Sequence, residues 1–422
     1  MEQPGIGGIS RLPVLGLMAM LLGCEPTSAV GSLRAEALDS NQWCGLAGAP
    51  GVQVSPPPAV IVRDAQKRPV RGVEVKFQVA QGDGRITGDT VKTDRSGVAR
   101  VGSWELAAGR NVLAAIVTGD SVVGNPIIFT ASAGPPGFNI DFYFTGGASP
   151  ILQRALETAA ARWQAVLGTA EGHSVVSLPR GQCGNTIELA NRCVDDVLIF
   201  VDVMTVDGIG GQLAAAGPCI TRTPRSGPII GVLRFDAADI GGLEDRGLLD
   251  VTALHEMGHV LGLGTLWASN AFLKNPSLPS SPGADTIFSG SQAIAAFDGV
   301  GGASYTSGAK VPVENQAGST GTRDSHWRES VFDNELMTGF IDLGANPLSR
   351  VTIASFGDLG YQVDLSAADD YLLPAVRPPG FAVARSAGPK DPAHGVDLGD
   401  DVLRLPLHVV DPTGRTFPIG EP

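Results

Sequence analysis

The residues best suited to chemistry are two histidines four positions apart, His255 and His259, which enclose Glu256 in the pattern HExxH. Apolar residues around this pattern recur at helical spacing, which predicts an amphipathic helix facing a core. Residues four apart share one helical face, so both imidazoles can bind one Zn²⁺ ion with Glu256 beside the open coordination position. The alternative is an accidental match, expected on the order of one time in a hundred for a chain with six histidines. We therefore predict one catalytic zinc ion.

A zinc ion with two protein ligands is incomplete, so a further ligand must lie elsewhere in the chain. Gly262 extends the pattern to HExxHxxG, the beginning of the metzincin signature, in which glycine lets the chain turn sharply off the helix. That signature has its third histidine three residues later, where this chain has Thr265. Another residue must complete the site.

The chain resembles leishmanolysin, a metzincin family with a long insertion before its third histidine. The resemblance covers residues 138–362 and rests on five short segments, which are Pro218-Cys219, Gly231–Asp236, His255–Gly262, His326–Glu329 and Glu335–Gly339. It implies that His326, 67 positions after His259 (326 − 259), is the third zinc ligand. It also implies that Met337 is the Met-turn residue beneath the imidazoles, although a lone methionine is otherwise a core filler.

Three other histidines are weaker candidates for the third ligand. His173 has no supporting motif around it, and a solitary histidine is more often structural or solvent-exposed. His394 and His408 lie in a C-terminal region whose pattern is weak. We rank all three below His326.

The resemblance implies an endopeptidase that hydrolyses extended polypeptides, with Glu256 taking a proton from a zinc-bound water and passing it to the leaving amine. Such enzymes bind substrate as an added strand along a sheet edge. Two alternatives stay open, namely a cell-surface adhesin with a vestigial zinc site and a zinc hydrolase of non-peptide amides. No propeptide with a cysteine that could cap the zinc is recognisable, so a zymogen step is in doubt.

Composition narrows the function class. The 422 residues are 43% hydrophobic, enough for two or three folded domains. A net charge of -13 and a pI near 4.9 would repel a phosphate backbone, which excludes nucleic-acid binding as a main function. The 56 glycines and 30 prolines favour β-rich modules with long loops. The oligomeric state is not predicted.

Residues 1–23 have the pattern of a signal peptide of the lipoprotein type, with Arg11 before a short apolar run. Leu21-Leu22-Gly23-Cys24 resembles the bacterial lipobox, in which the cysteine receives lipid and becomes the mature N-terminus. This predicts a lipoprotein anchored at the outer membrane or cell surface through Cys24. The alternative is an ordinary secretory signal, and either form leaves the cytoplasm.

Five cysteines are an odd number for an exported chain. If Cys24 carries lipid, four remain, and these allow three connectivities. We favour a Cys183–Cys193 disulfide, because those two cysteines bracket a short segment with Gly and Asn. Cys44 and Cys219 would then pair or stay free.

The sequence pattern predicts a multidomain protein. After a tether at residues 24–44, residues 45–134 have short, β-branched, partly alternating runs that predict an all-β sandwich. Val62–Asp64, Pro69–Val73 and Trp104, among others, resemble the bacterial immunoglobulin-like domain of invasin and intimin. A passive spacer is the favoured role, with specific adhesion as the alternative.

A Gly-Pro-Pro-Gly sequence at 134–137 marks a boundary, and residues 138–362 then mix strand and helix patterns. Together with the resemblance, this implies an α+β metzincin-type zinc peptidase domain. Residues 363–422 have little pattern and are predicted to be a partly disordered C-terminal tail without an assigned function.

Overall fold

The computed structural model describes residues 33–38, 46–119, 122–133, 137–168, 172–184, 187–223, 226–277, 285–305, 310–316, 321–374, 395–411 and 413–419. The predicted signal peptide, Cys24, Cys44, His394 and the boundary residues 134–136 lie outside these ranges. Within them, no helix has the length and apolar character needed to cross a membrane.

The described part of the N-terminal region contains ten short strands. They are β1 (Arg34–Ala37), β2 (Leu46–Gly48), β3 (Ala59–Arg63), β4 (Glu74–Gln81), β5 (Arg85–Thr87), β6 (Thr90–Lys92), β7 (Val98–Arg100), β8 (Ser103–Glu105), β9 (Gly109–Val117) and β10 (Ile127–Ala133). One sheet has the order β1-β3-β7 and another the order β2-β10-β9-β4-β6. Alternate side chains of both sheets enter one core, where Phe77, Trp104 and Phe129 are buried. The region is therefore a β-sandwich, and its first strand begins at Arg34 rather than at residue 45.

The larger region mixes helices with a six-stranded sheet. Its elements are β11 (Ile140–Gly146), α1 (Pro150–Leu167), β12 (His173–Leu178), β13 (Leu189–Asp195), β14 (Val197–Met204), β15 (Ala214–Thr221), β16 (Pro228–Asp236), α2 (Ile240–Asp245), α3 (Leu249–Leu261), β17 (Leu273–Lys274), β18 (Ile287–Phe288), α4 (Ser291–Gly299), α5 (Glu329–Phe332), β19 (Phe340–Asp342), α6 (Arg350–Asp358), β20 (Gly395–Asp397), β21 (His408–Val410) and β22 (Thr416–Pro418). The sheet order is β11-β14-β16-β15-β21-β22. β15 runs antiparallel to β16, whereas β14 is parallel to both of its neighbours.

Helix α1 covers α3, the helix that carries the HExxH pattern. Ser149 caps α1 by accepting a hydrogen bond from Leu152 N at 3.2 Å, and Pro150 occupies its first turn. The apolar residues of α1 recur at helical spacing and form its buried face. From that face the Trp163 indole donates to Leu254 O of α3 at 2.9 Å, so α3 lies between α1 and the sheet strands β15 and β16.

The C-terminal segment differs from the predicted tail. In the described ranges 395–411 and 413–419 it contributes β20, which pairs antiparallel with β19, and β21, which pairs parallel with β15. Leu398 and Val402 of this segment are buried. Its strands are only three residues long, too short for alternation to show in the sequence.

The disulfide prediction was wrong. Cys183 is bonded to Cys219, with their Cα atoms 5.5 Å apart, and not to Cys193. Cys193 lies within β13, opposite Val175, whereas Cys183 packs with Cys219 of β15 in a small apolar core. Cys193 is also disulfide-bonded. Sequence proximity favoured Cys193, but the strand pairing separates it from Cys183.

The two regions meet through β13 and β11. The Arg110 guanidinium of the sandwich contacts the Asp141 carboxylate of β11 at 2.6 Å. The Asn191 amide of β13 donates to Glu36 at 2.6 Å, and the Arg192 guanidinium donates to Pro126 O at 3.1 Å. Side chains from both regions thus form hydrogen bonds across the boundary.

Candidate metal centre

Helix α3 supplies three of the predicted site residues. His255, Glu256 and His259 all lie on its buried side, and each is fully shielded from solvent. The helix ends at Gly262, whose φ of 122° is open to glycine but strained for other residues. The predicted turn after the zinc helix is therefore present.

A loop brings His326 to α3 from 67 positions further along the chain (326 − 259). Backbone hydrogen bonds hold the loop on both sides of the histidine, since Glu314 N donates to His326 O at 2.8 Å and Trp327 N donates to Met337 O at 3.0 Å. The buried Trp327 indole donates to Thr352 at 2.8 Å. His326 is thus held in place by the loop backbone and by the neighbouring tryptophan.

The three imidazoles point their Nε2 atoms at one point. The Nε2 atoms are 3.2 Å apart for His255 and His326, 3.0 Å for His255 and His259, and 2.9 Å for His259 and His326. Each Nδ1 faces a backbone carbonyl, and these are Leu336 O at 2.7 Å, Leu263 O at 2.9 Å and Thr322 O at 2.9 Å, respectively. A carbonyl can only accept, so each Nδ1 carries a proton, and each Nε2 presents a lone pair when its ring is neutral.

This donor set fits zinc. Three lone pairs facing one another repel unless a cation or proton lies between them. Ligands at 2.0 to 2.1 Å around a tetrahedral zinc lie about 3.3 Å apart, close to the observed Nε2 separations. The carbonyls that accept from Nδ1 are the usual outer partners of metal-binding histidines, because they fix the tautomer and the ring orientation.

Glu256 has a buried carboxylate that the protein leaves unpaired. Neither Oε1 nor Oε2 has a hydrogen-bond partner among the described residues. Burial, followed by the negative charge of Asp401, raises the pKa of Glu256 well above its usual value. A buried carboxyl without a partner destabilises the fold, so its position beside the histidines points to a chemical role.

Asp401 also enters the centre, and the sequence analysis missed it. Its Oδ2 atom lies 3.0 Å from His326 Nε2, 3.2 Å from His255 Nε2 and 3.8 Å from His259 Nε2. Together the four side chains form a group that could hold a metal ion. No spacing rule indicates Asp401, which stands 75 positions after His326 (401 − 326).

The four side chains of this group alter one another's pKa values. Burial alone would raise the pKa of Asp401, but the charges of His326 and His259 and the hydrogen bonds with His255 and His326 together hold that pKa well below the usual range. Burial likewise opposes protonation of His326, yet the Asp401 carboxylate raises the pKa of that histidine. For His255 and His259 burial prevails, and the pKa of each is lowered. Two histidines thus favour the neutral form that binds metal.

The family model for leishmanolysin matches residues 152–375, more than half of the chain. The chain belongs to the leishmanolysin family. The family match supports a zinc metalloprotease. The match contains α3 and His326 but ends before Asp401.

Among solved structures, the chain is similar to domains of intimin and of a surface-layer protein. The D0-D1 domain of intimin is 24% identical and the D00-D0 domain 18% identical, each covering 23% of this chain and 43% of the intimin chain with a TM-score of 0.17. Domains 4-9 of the surface layer protein SbsC are 10% identical, with 46% of this chain and 34% of that chain covered and a TM-score of 0.18. The chain thus spans less than half the length of these structures. Comparison with curated proteins found no match.

In this leishmanolysin-family site the Glu335-Leu336-Met337 turn lies against α3. Met337 is fully buried. The Glu335 carboxylate fixes the turn, accepting from Met337 N at 2.7 Å, from the Ser349 hydroxyl at 2.7 Å and from the Thr352 hydroxyl at 2.5 Å. Burial raises the pKa of Glu335 despite these bonds.

The rival histidines lie away from this leishmanolysin-family centre. His173 is exposed at the start of β12, opposite Asp195. His408 lies in β21, where its Nδ1 atom is 2.9 Å from Pro406 O. His326 is thus the histidine that the fold brings to His255 and His259.

Proposed function

We propose that this protein is an exported zinc endopeptidase that hydrolyses peptide bonds in extended polypeptides. In this proposal His255, His259 and His326 hold one zinc ion, Glu256 is the general base, and the domain has a metzincin-type α+β arrangement. The observation that carries the proposal is the convergence of three Nε2 atoms within 3.2 Å, one residue along α3 from an unpaired buried carboxylate.

When bound, zinc supplies a Lewis acid that polarises the peptide carbonyl and lowers the pKa of the attacking water. Glu256 accepts the proton of that water on a carboxylate oxygen and later donates it to the leaving amine. Its raised pKa suits both transfers, because a buried carboxylate takes up a proton readily. The three Nδ1–H groups stay bonded to backbone carbonyls throughout, which keeps the rings in place.

The substrate position is proposed along β15, which packs against α3. An extended polypeptide would pair its main chain with residues 214–218 of β15, on the edge that faces away from β16 and next to the stretch paired with β21. Main-chain pairing selects an extended backbone and little sequence. A folded protein would therefore be cleaved mainly at loops and termini.

Cleavage of casein or gelatin by the zinc-loaded full chain tests the proposal. We expect fragments, from the Asp401→Ala variant of this chain if not from the wild type, that disappear with a chelator and return with added zinc. The assay includes Asp401→Ala, which lacks the carboxylate that contacts the three histidines. Absence of cleavage by both proteins would contradict the proposal, and release of a small non-peptide amide without casein cleavage would favour the alternative hydrolase.

Export is supported by the apolar run before Cys24 and by the Cys183–Cys219 disulfide, since such bonds persist in oxidising compartments. We propose an anchor of lipid on Cys24 at the outer membrane or cell surface. Incorporation of labelled fatty acid, lost in Cys24→Ser, tests the anchor. A mature chain beginning elsewhere without lipid would mean secretion instead.

A further inference from the structure

A carboxylate oxygen completes a four-ligand group at the histidine centre. Asp401 is fully buried, and its Oδ2 atom lies within 3.2 Å of two Nε2 atoms that present lone pairs. Its Oδ1 atom has no partner in the described part of the chain. Three imidazoles and one carboxylate oxygen match a closed tetrahedral zinc site, whereas a catalytic zinc site keeps one position for water or substrate.

The backbone around Asp401 occupies the edge of β15. Ala216 N donates to Asp401 O at 2.8 Å, and Leu403 N donates to Ala216 O at 2.9 Å. Ala216 and Val402 form a parallel bridge. These are the main-chain groups that a polypeptide substrate would need, so the segment and a substrate exclude one another.

The segment is also fixed on its other side. Leu398 N donates to Gly339 O at 3.3 Å, at the end of the Met337 turn, and the Thr322 hydroxyl donates to Gly399 O at 3.0 Å. The Gln212 side-chain amide donates to Asp400 O. Leu398 is buried in the core of the peptidase domain. The contacts join the segment to the loop that carries His326 and to the residues just before β15.

We infer that residues 395–405 are an autoinhibitory segment, in which Asp401 takes the fourth ligand position of the zinc and the adjoining backbone takes the substrate strand position. The inference rests on the proposed function of the site. In this state substrate reaches neither the metal nor β15. The enzyme becomes active when the segment is displaced or cut away.

The test compares Asp401→Ala and Asp401→Asn with Asp400→Asn, a matched control at the neighbouring exposed carboxylate. Binding of acetohydroxamate, a small metal-binding probe, is measured by calorimetry on the zinc-loaded proteins. We expect binding at least about tenfold tighter in Asp401→Ala than in the wild type, because a competing ligand is gone, and no change in Asp400→Asn. The visible spectrum of the Co²⁺-substituted protein should differ from that of the wild type in Asp401→Ala but not in Asp400→Asn. Asp401→Asn keeps the side-chain size and serves if Asp401→Ala does not fold.

Equal probe affinity and identical Co²⁺ spectra in wild type and both Asp401 variants would overturn the inference. So would loss of zinc from both folded Asp401 variants, because Asp401 would then be a required structural ligand. The peptidase proposal fails separately. If Asp401→Ala changes the spectrum and binds the probe more tightly but no protein cleaves casein, the autoinhibitory segment stands and the peptidase proposal is rejected. If the wild type cleaves casein as fast as Asp401→Ala and both bind the probe equally, the peptidase proposal stands and the autoinhibitory segment is rejected.

Discussion

Met337 packs directly against Gly258, since a Cβ atom at position 258 would lie 2.9 Å from both Sδ and Cε of Met337. Gly258 stands between the two histidines of α3, so the turn reaches the helix at the centre of the metal site. The same turn is joined to the His326 loop, because Met337 O accepts from Trp327 N at 3.0 Å. The Met337 turn therefore contacts both elements that carry the three histidines.

Gly258→Ala should lower both stability and zinc affinity. Alanine ordinarily stabilises a helix relative to glycine, but here its methyl group would push Met337 away, at a cost of about 1 to 3 kcal/mol. Gly241→Ala in α2 is the control, because a Cβ atom there has nothing within 4 Å. Urea unfolding and zinc titration measure the two effects. If the Gly258→Ala protein is as stable as the control, the Met337 turn moves aside at little cost in free energy.

Glu256→Gln should keep one zinc per chain and lose hydrolysis by about a hundredfold to ten-thousandfold, because the ligands remain and the proton acceptor is lost. The comparison is made in the full chain and in the Asp401→Ala background. Glu244→Gln, at an exposed glutamate of α2, is the control. Metal analysis beside casein cleavage gives the result, and substantial activity in Glu256→Gln would remove its role as the base.

In the Asp401→Ala background, which lacks the ligand of the autoinhibitory segment, His326→Ala should yield a folded protein with far less than one zinc per chain and no cleavage. The sheet and helices bury their own core, so loss of a ligand affects the metal more than the fold. His173→Ala should keep zinc and activity, since His173 is exposed and distant from the centre. Circular dichroism checks the fold. Stoichiometric zinc and normal cleavage in His326→Ala would place the third ligand elsewhere.

Replacing Cys183 and Cys219 together by alanine should lower the free energy of unfolding by about 4 kcal/mol, the loop-closure value for a separation of 36 residues. Urea unfolding of the variant and the wild type gives the difference. Peptide mapping without reductant should recover a fragment that joins Cys183 to Cys219. A fragment that joins Cys183 to Cys193 would refute the assignment.

Asp196 should make stability fall as pH rises from about 4 to 6. Burial, together with the neighbouring Asp195 charge, raises the pKa of Asp196 from 3.8 to about 6. The unfolded chain then releases this proton at lower pH than the folded chain. The protonated carboxyl therefore contributes to the free energy of unfolding below about pH 4, and this contribution is lost as the pH rises to about 6. The change is about 3 kcal/mol.

Asp196→Asn is the test of this pH effect, because asparagine tolerates the positive φ of 64° at that position. Between pH 4 and pH 7, the free energy of unfolding of the variant should increase relative to that of the wild type. A constant difference across this range would show that Asp196 keeps an ordinary pKa.

The parts of the site set by local spacing could be predicted from the sequence. The helix with His255 and His259 follows from a 3.6-residue period, and the resemblance added His326 and Met337, which the fold brings to the same place. These features depend on neighbours along the chain or on recognisable short motifs.

The features that escaped prediction depend on pairing between distant segments. Asp401 reaches the centre because its backbone pairs with Ala216, and nothing near Asp401 in the sequence indicates that partner. Cys183 meets Cys219 because both face one small core of the sheet. A three-residue strand or a single buried carboxylate has no periodicity from which its position could be inferred.

The contacts of Arg110 with Asp141 and of Glu36 with Asn191 give the N-terminal sandwich a mechanical role. A spacer joined to the peptidase domain only by a flexible linker would let that domain take any orientation. These bonds instead fix the orientation of the peptidase domain relative to the sandwich. The range of substrates within reach would then depend on the angle between two folded bodies more than on the length of a tether.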